Sequence, residues 1–246
     1  MSLLDEVVSV PRRTMVLFFV IDTSGSMMGN KIGAVNDAVV NVLPMLEEIS
    51  ATNPDAEIKV AALEFSSGTS WLYSEPKLAS EFVWQDVTAS GLTAFGEACT
   101  ELSSKLSRSG FMKSASGSFA PAIILLSDGA PTDNYENGLA KLKCNNWFKA
   151  AIKIAIAIGD DADQNVLKEF TGNSEAVFTV HNIDALKQII RVVAVTSSQI
   201  GSKSSTAGET TKQEQVVDEI KDAVDSIDGA EVATAVDSSS YKDDWD

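Results

Sequence analysis

The chain is 246 residues long, with 44% hydrophobic and 22% charged residues and a formal net charge of −16. That length and mix suit a soluble domain with an ordinary core, alone or with a tail. The charge excludes recognition of nucleic acid or an anionic membrane through a broadly basic surface, and it favours hard cations and basic partners.

Residues 1–13 read as a lead-in. The apolar run Val16, Leu17, Phe18, Phe19, Val20 and Ile21 is too short to span a bilayer. Its β-branched and aromatic make-up predicts a strand buried on both faces. The run ends abruptly in Asp22, at the carboxyl end of the strand, where open α/β sheets bind ligands. Ile32, Val35, Val39, Val42, Leu43, Leu46 and Ile49 recur at helical spacing and predict a helix over 31–50, in which Pro44 marks a kink or a break. Residues 58–65 read as a second strand, 69–73 as its antiparallel edge partner and 81–87 as an extended aromatic segment. A loop over 90–93 precedes a helix with Phe95, Ala98, Leu102 and Leu106 on one side, and a Ser/Gly-rich connection covers 107–118. A third strand over 122–126 runs into Ser127-Asp128-Gly129, and one helix follows through Leu139, Leu142 and Trp147. A fourth strand spans 151–159, then come a short helix over 160–170 that Asp163 can cap, a last strand over 176–180 and a helix over 183–197.

Strands that alternate with helices and are apolar on both faces predict an α/β fold. The expected form is doubly wound, with a mostly parallel central sheet, one antiparallel edge strand and helices on both faces. The domain is expected over 14–200, and residues 201–246 form an acidic linker and tail. Residues 209–246 hold 12 acidic and 3 basic side chains, so the acidity is concentrated there. Cys99 and Cys144 lie outside any CxxC pair and read as free thiols of a reducing compartment. The first residues lack the pattern of a secretory leader, and the expected location is cytoplasmic.

Three loops at or beside strand ends carry oxygen ligands: Asp22, Ser24 and Ser26 in one, Thr93 in another and Asp128 in the third. Hydroxyls and two carboxylates, without Cys or His, make a hard-oxygen site that suits Mg²⁺, with Mn²⁺ or Ca²⁺ as substitutes. Two carboxylates neutralise a dication but leave its shell short of ligands, so an outside carboxylate is welcome. The plainer alternative is that Asp22 and Ser24 only cap the next helix. Three such loops in matching positions weigh against it.

Asp22-Thr23-Ser24-Gly25-Ser26, with Thr93 in the stretch 91–98 and Asp128 in Leu126-Ser127-Asp128-Gly129, resembles the metal-ion-dependent adhesion site of von Willebrand factor A domains. The resemblance covers about residues 14–197. The stretches 22–27, 128–133 and 157–163 further resemble the stand-alone bacterial TerY-like proteins associated with tellurite resistance. The family resemblance implies that Ser24 and Ser26 ligate Mg²⁺ directly. It also implies that Asp22, Thr93 and Asp128 ligate directly or through water, and that an Asp or Glu of a protein partner completes the shell. It implies a binding module and not an enzyme, with a protein kinase or a PP2C-like phosphatase as possible partners. Some of these relatives carry a C-terminal zinc ribbon, which the cysteine-free tail here does not match.

A rival reading is a phosphatase resembling the haloacid dehalogenase class, with Asp22, Ser127 and Asp160/Asp161 in the matching order. It fails at Ser24, because that class places an acid there and a hydroxyl cannot serve as its general acid. A third reading is a metal-independent scaffold acting through its helices or tail. His181, the single histidine, reads as a surface or packed residue, and Trp71, Trp84 and Trp147 read as packing residues. Asp160, Asp161 and Asp163 read as a solvated loop and helix cap before a second metal site. In the tail, Val216, Val217, Ile220, Val224 and Ile227 recur at helical spacing and predict a short helix within 209–228. That helix is expected to dock on the body, on a partner or on a neighbour's metal site; the alternative is a disordered acidic tail. Asp243-Asp244-Trp245-Asp246 has the form of a short binding peptide.

Overall fold

A computed structural model describes residues 12–204, 210–225 and 232–234. Its central strand is β1 (Arg13–Asp22). Met15, Leu17, Phe19 and Ile21 enter one core, and Val16, Phe18 and Val20 enter another on the opposite face. Both faces are therefore dry, which is why the run is apolar without alternation. β2 (Ala56–Phe65) lies parallel beside β1, and the short β3 (Thr69–Trp71) and β4 (Lys77–Leu78) pair antiparallel with β2. On the other side of β1 come β5 (Ala122–Ser127), β6 (Ile152–Ile158) and β7 (Val177–Val180), all parallel. β8 (Val232–Thr234) pairs antiparallel with β7, so the order is β3-β2-β1-β5-β6-β7-β8. The expected antiparallel edge strand is β3. β4 and β8 are additional, and at two and three residues they are too short to carry a period-2 pattern.

The described residues form seven helices: α1 (Asn30–Thr52), α2 (Phe95–Lys105), α3 (Tyr135–Cys144), α4 (Asn146–Ala150), α5 (Gln164–Thr171), α6 (Ile183–Gly201) and α7 (Lys212–Asp225). Side chains of α1, α6 and α7 fill the core on one face of the sheet, and those of α2 to α5 fill the other. Pro44 sits within an unbroken α1. It faces solvent, as does Val40 one turn earlier, so the carbonyl that loses its partner is open to water.

The aromatic segment 81–87 pairs in no sheet, and Asn36 of α1 holds it, accepting from Trp84 Nε1 and Val87 N and donating to Val87 O, each at 3.0 Å. Two local expectations change. The single helix expected through Trp147 is two, α3 and α4. Asn145 caps α4 by accepting from Trp147 N and Phe148 N, while its Nδ2 donates to Ser103 O and Leu106 O at the end of α2. The last body helix runs to Gly201, and the tail helix forms as α7, burying Val216, Val217 and Ile220 against α6 and β6. Residues 1–11, Ile227 and 243–246 lie outside the described residues.

Both cysteines are free; Cys99 is buried, which pushes its thiol pKa up, and Cys144 is exposed. Among the described residues no helix is long and apolar enough to cross a membrane.

α2 and α3 meet backbone to backbone. A Cβ on Gly138 would lie 2.0 Å from the carbonyl oxygen of Gly96, an atom that cannot yield without moving α2. Gly138→Ala is therefore expected to cost about 1–3 kcal/mol, at the upper end if α2 resists the shift, as read from urea unfolding midpoints.

Candidate metal centre

Strand register builds the site. β1 and β5 pair with Ile21 opposite Leu126, so one residue further Asp22 meets Ser127, and Asp128 lies just past the tip. Ser127 Oγ donates to Asp22 Oδ2 at 2.7 Å, and the backbone N–H of Ser24 donates to Asp22 Oδ1 at 2.9 Å. The chain then turns through a short 3₁₀ segment, Gly25–Met27. Ser24 Oγ and Ser26 Oγ lie 3.1 Å apart, and Ser26 Oγ donates to Asp128 Oδ1 at 2.7 Å. Four of the five expected residues are thus linked in one hydrogen-bonded chain. Asp22, Ser24 and Asp128 are buried, and Ser26 stands exposed at the rim.

Thr93 arrives by a different route. Its loop is laced to the first one by Ser90 N to Thr23 O at 2.7 Å and Gly25 N to Gly91 O at 3.1 Å. Gly91 turns with φ +81°, and a Cβ there would meet Ser67 Oγ at 2.5 Å, so the loop needs a glycine at this point. Thr93 accepts at its carbonyl from Thr132 N and donates its own N–H to Thr132 Oγ1, both at 2.9 Å, and it lines one small cavity with Ser127 and Gly129. Its hydroxyl is not part of the chain that joins the other four.

The carboxylates are not alike. Burial pushes the Asp22 pKa up, and the nearby Asp128 charge adds to this; the bonds from Ser127 and Ser24 oppose it without prevailing. Asp128 is compensated by Lys31, whose Nζ lies 2.9 Å from Oδ2. Among the described residues no group of three His, Cys, Asp or Glu side chains is placed to hold a metal. A cation here therefore relies on hydroxyl oxygens as well as the two carboxylates, a donor set suited to hard ions.

The model of the von Willebrand factor type A domain matches residues 17–192, which include all five residues. The chain belongs to this family. Solved structures agree on the fold. A von Willebrand factor type A protein from Catenulispora acidiphila is 18% identical, with a TM-score of 0.55, over 76% of this chain and 43% of its own. The ArnB paralog VWA2 from Sulfolobus acidocaldarius is 20% identical, with a TM-score of 0.53, over 72% of this chain and 44% of its own. Proximal thread matrix protein 1 from the mussel byssus, with a zinc-occupied MIDAS motif, is 15% identical, with a TM-score of 0.57, over 76% of this chain and 48% of its own. The chain thus spans less than half the length of these structures. No curated protein matches it.

In this von Willebrand A domain three contributors escaped the sequence reading. Ser127 was visible as the residue before Asp128 and as a member of the phosphatase rival, but not as the donor that fixes Asp22. Lys31 was visible as a lysine at the start of the helix after the DxSxS stretch, and it is the counter-ion of Asp128. Asp133 accepts from the N–H groups of Gly96 and Glu97, both at 3.1 Å, and so caps α2 from another loop. Of the remaining candidates, Asp163 caps α5. His181 is the packed alternative, 1% exposed, with Nδ1 3.7 Å from Asp160 Oδ1.

Because its folded pKa is raised, Asp22 contributes stability that is fully present below the ordinary carboxyl value of 3.8 and is lost as pH rises through the folded value. In chelator, Asp22→Asn should therefore be more stable than wild type at neutral pH, with the gain fading as pH falls toward about 4. Urea unfolding across that range checks both the sign and the fading.

Proposed function

We propose that the chain is a docking module that captures a protein partner through a divalent cation, Mg²⁺ by preference, held by Asp22, Ser24, Ser26, Thr93 and Asp128. The observation that carries this reading is the hydrogen-bonded chain from Asp22 through Ser24 and Ser26 to Asp128, which gathers oxygen donors from separate loops at the strand tips. The bound cation would supply Lewis-acid attraction for an incoming carboxylate. The chain's own residues do the rest. Asp22 and Asp128 balance most of a dication's charge, the hydroxyls add no further charge, and the rim stays electrophilic toward an Asp or Glu from outside.

The surroundings support a protein as the visitor. Met28 is 65% exposed and Leu92 is 60% exposed, and they follow Ser26 and precede Thr93 by two and one positions. Exposed apolar side chains next to a polar centre mark interaction surfaces. Binding rather than catalysis is favoured by Ser24, which leaves no acid two residues after Asp22 for proton transfer.

The finer reading is a cytoplasmic, bacterial, TerY-like role in a stress or tellurite-resistance system, with a kinase or a PP2C-like phosphatase as the partner. It rests on the motif stretches at 22–27, 128–133 and 157–163.

Metal and partner affinity are then reciprocally coupled. Mg²⁺ at a hundredfold excess over its Kd should stabilise the protein by about 2.7 kcal/mol, and Ser26→Ala should reduce that gain. Capture of partner from native lysate should weaken at least tenfold, or about 1.4 kcal/mol, in chelator or with Asp22→Ala. Equal capture with and without chelator rules the reading out, and chelator-insensitive capture that is lost on reversing the charges of the exposed Asp218 and Glu219 of α7 selects the metal-independent scaffold. Metal-dependent turnover of an aryl phosphate, abolished by Asp22→Asn, would restore the phosphatase.

A further inference from the structure

At the end of the sheet opposite the metal centre, where β1 and β6 begin, lies an open cleft of about 1010 Å³. It is lined by Arg13, Lys143, Lys149, Lys153, Lys203 and Lys212, six of the chain's 19 lysine and arginine residues, against one carboxylate, Glu169. In a protein of net charge −16 this is a local inversion of sign. Of these six, only Lys143 has a carboxylate within ion-pairing distance among the described residues, Glu169 at 3.3 Å.

Three of the lysines have an ordinary explanation. Lys143 and Lys149 lie in the last turns of α3 and α4, and Lys203 lies just past α6, where cations complement helix dipoles. Of the other three, Lys153 and Lys212 reach the carboxyl ends of α4 and α6 from other elements, and Arg13 meets no helix end. Lys212 opens α7, the end at which a dipole disfavours positive charge. Its ammonium donates to the carbonyls of Gly201 and Lys203 and lies 5.0 Å from the Phe119 ring. Arg13 lies 3.9 Å over the same ring, and its buried Nε has no hydrogen-bond partner. Lys153 donates to the carbonyls of Phe148 and Ala151 at 3.1 and 3.0 Å and lies 5.2 Å from the Phe148 ring. Burial pushes the pKa of Lys153 and of Lys212 down, and Arg13 adds repulsion at Lys212. These cations are held in place by neutral carbonyls and rings, so their charge is left uncompensated.

We propose that this cleft binds an acidic peptide segment of a protein partner, at a site separate from the metal centre and independent of metal. The cations come from five elements and the turn after α6, with Arg13 and Lys212 against Phe119 and Lys153 against Phe148, which suits several carboxylates along a chain better than a single small anion. The rings of Phe119 and Phe148, each 3% exposed, lie beneath the cations and help to hold them in place. The overall negative charge opposes long polyanions, so selectivity for a short acidic segment follows.

The test uses the full chain in EDTA, so that failure of the metal reading does not affect it. A fluorescein-labelled octaglutamate peptide is titrated at low ionic strength, and a single-stranded oligonucleotide of the same charge serves as the second probe. The peptide should bind, should weaken as salt is raised, and should lose at least about tenfold in affinity with the exposed pair Lys149→Glu/Lys203→Glu. Lys212→Gln, whose melting is compared with wild type, should lose affinity in the same direction. No binding by wild type, or equal affinity in a variant that melts like wild type, overturns the site. Tighter binding of the oligonucleotide overturns the assignment to a peptide.

Discussion

The hydrogen bond from Ser127 to Asp22 is the constraint on which the candidate metal centre depends. A carboxylate at the buried tip of a central strand is costly unless donors meet it. Here one donor comes from the neighbouring strand and one from the backbone two residues on. Together they fix the Asp22 rotamer and bend the chain at once into the 3₁₀ turn. That bend carries Ser26 across to Asp128, which Lys31 holds from α1. Asp22 retains a raised pKa despite its donors, so in the absence of metal the corner is held at some expense of stability. Such local cost is what a site for an added positive charge requires.

Much of this was legible in the sequence because it is local. Apolar runs dry on both faces announced the parallel strands, and a carboxylate ending such a run announced the ligand end of the sheet. The antiparallel partner after Ser66-Ser67-Gly68 and the cap at Asp163 are likewise events within a few residues. What was not legible depends on contacts made across the chain. Asn36 strapping residues 84–87 spans about fifty positions, and no composition rule separates it from any other exposed-face asparagine. Asn145 breaks a pattern that reads as one helix because it satisfies carbonyls of α2 while capping α4. Lys31 looks like a solvated lysine until Asp128 is placed beside it.

The two ends of the sheet have opposite chemistry. Oxygen donors gather at the carboxyl ends of the strands, and cations gather at the amino ends. The separation equals the length of the strands, so what binds at one end need not disturb the other. If both proposals hold, two acidic segments would be held at opposite ends of one sheet, one through a cation of the medium and one through the protein's own cations.

The short strand β8 carries a consequence out of proportion to its three residues. β7 would otherwise end the sheet with a row of unpaired N–H and C=O groups, since β6 occupies only one side of it. Bare edges of this kind template the addition of foreign strands and lead to association between copies. By doubling back along β7, the segment 232–234 acts as a built-in stopper. The same stretch of chain, through α7, covers apolar surface on α6. The acidic extension is thus in part a protective hem for the domain, and trimming it at Ile200 would leave a raw, adhesive border.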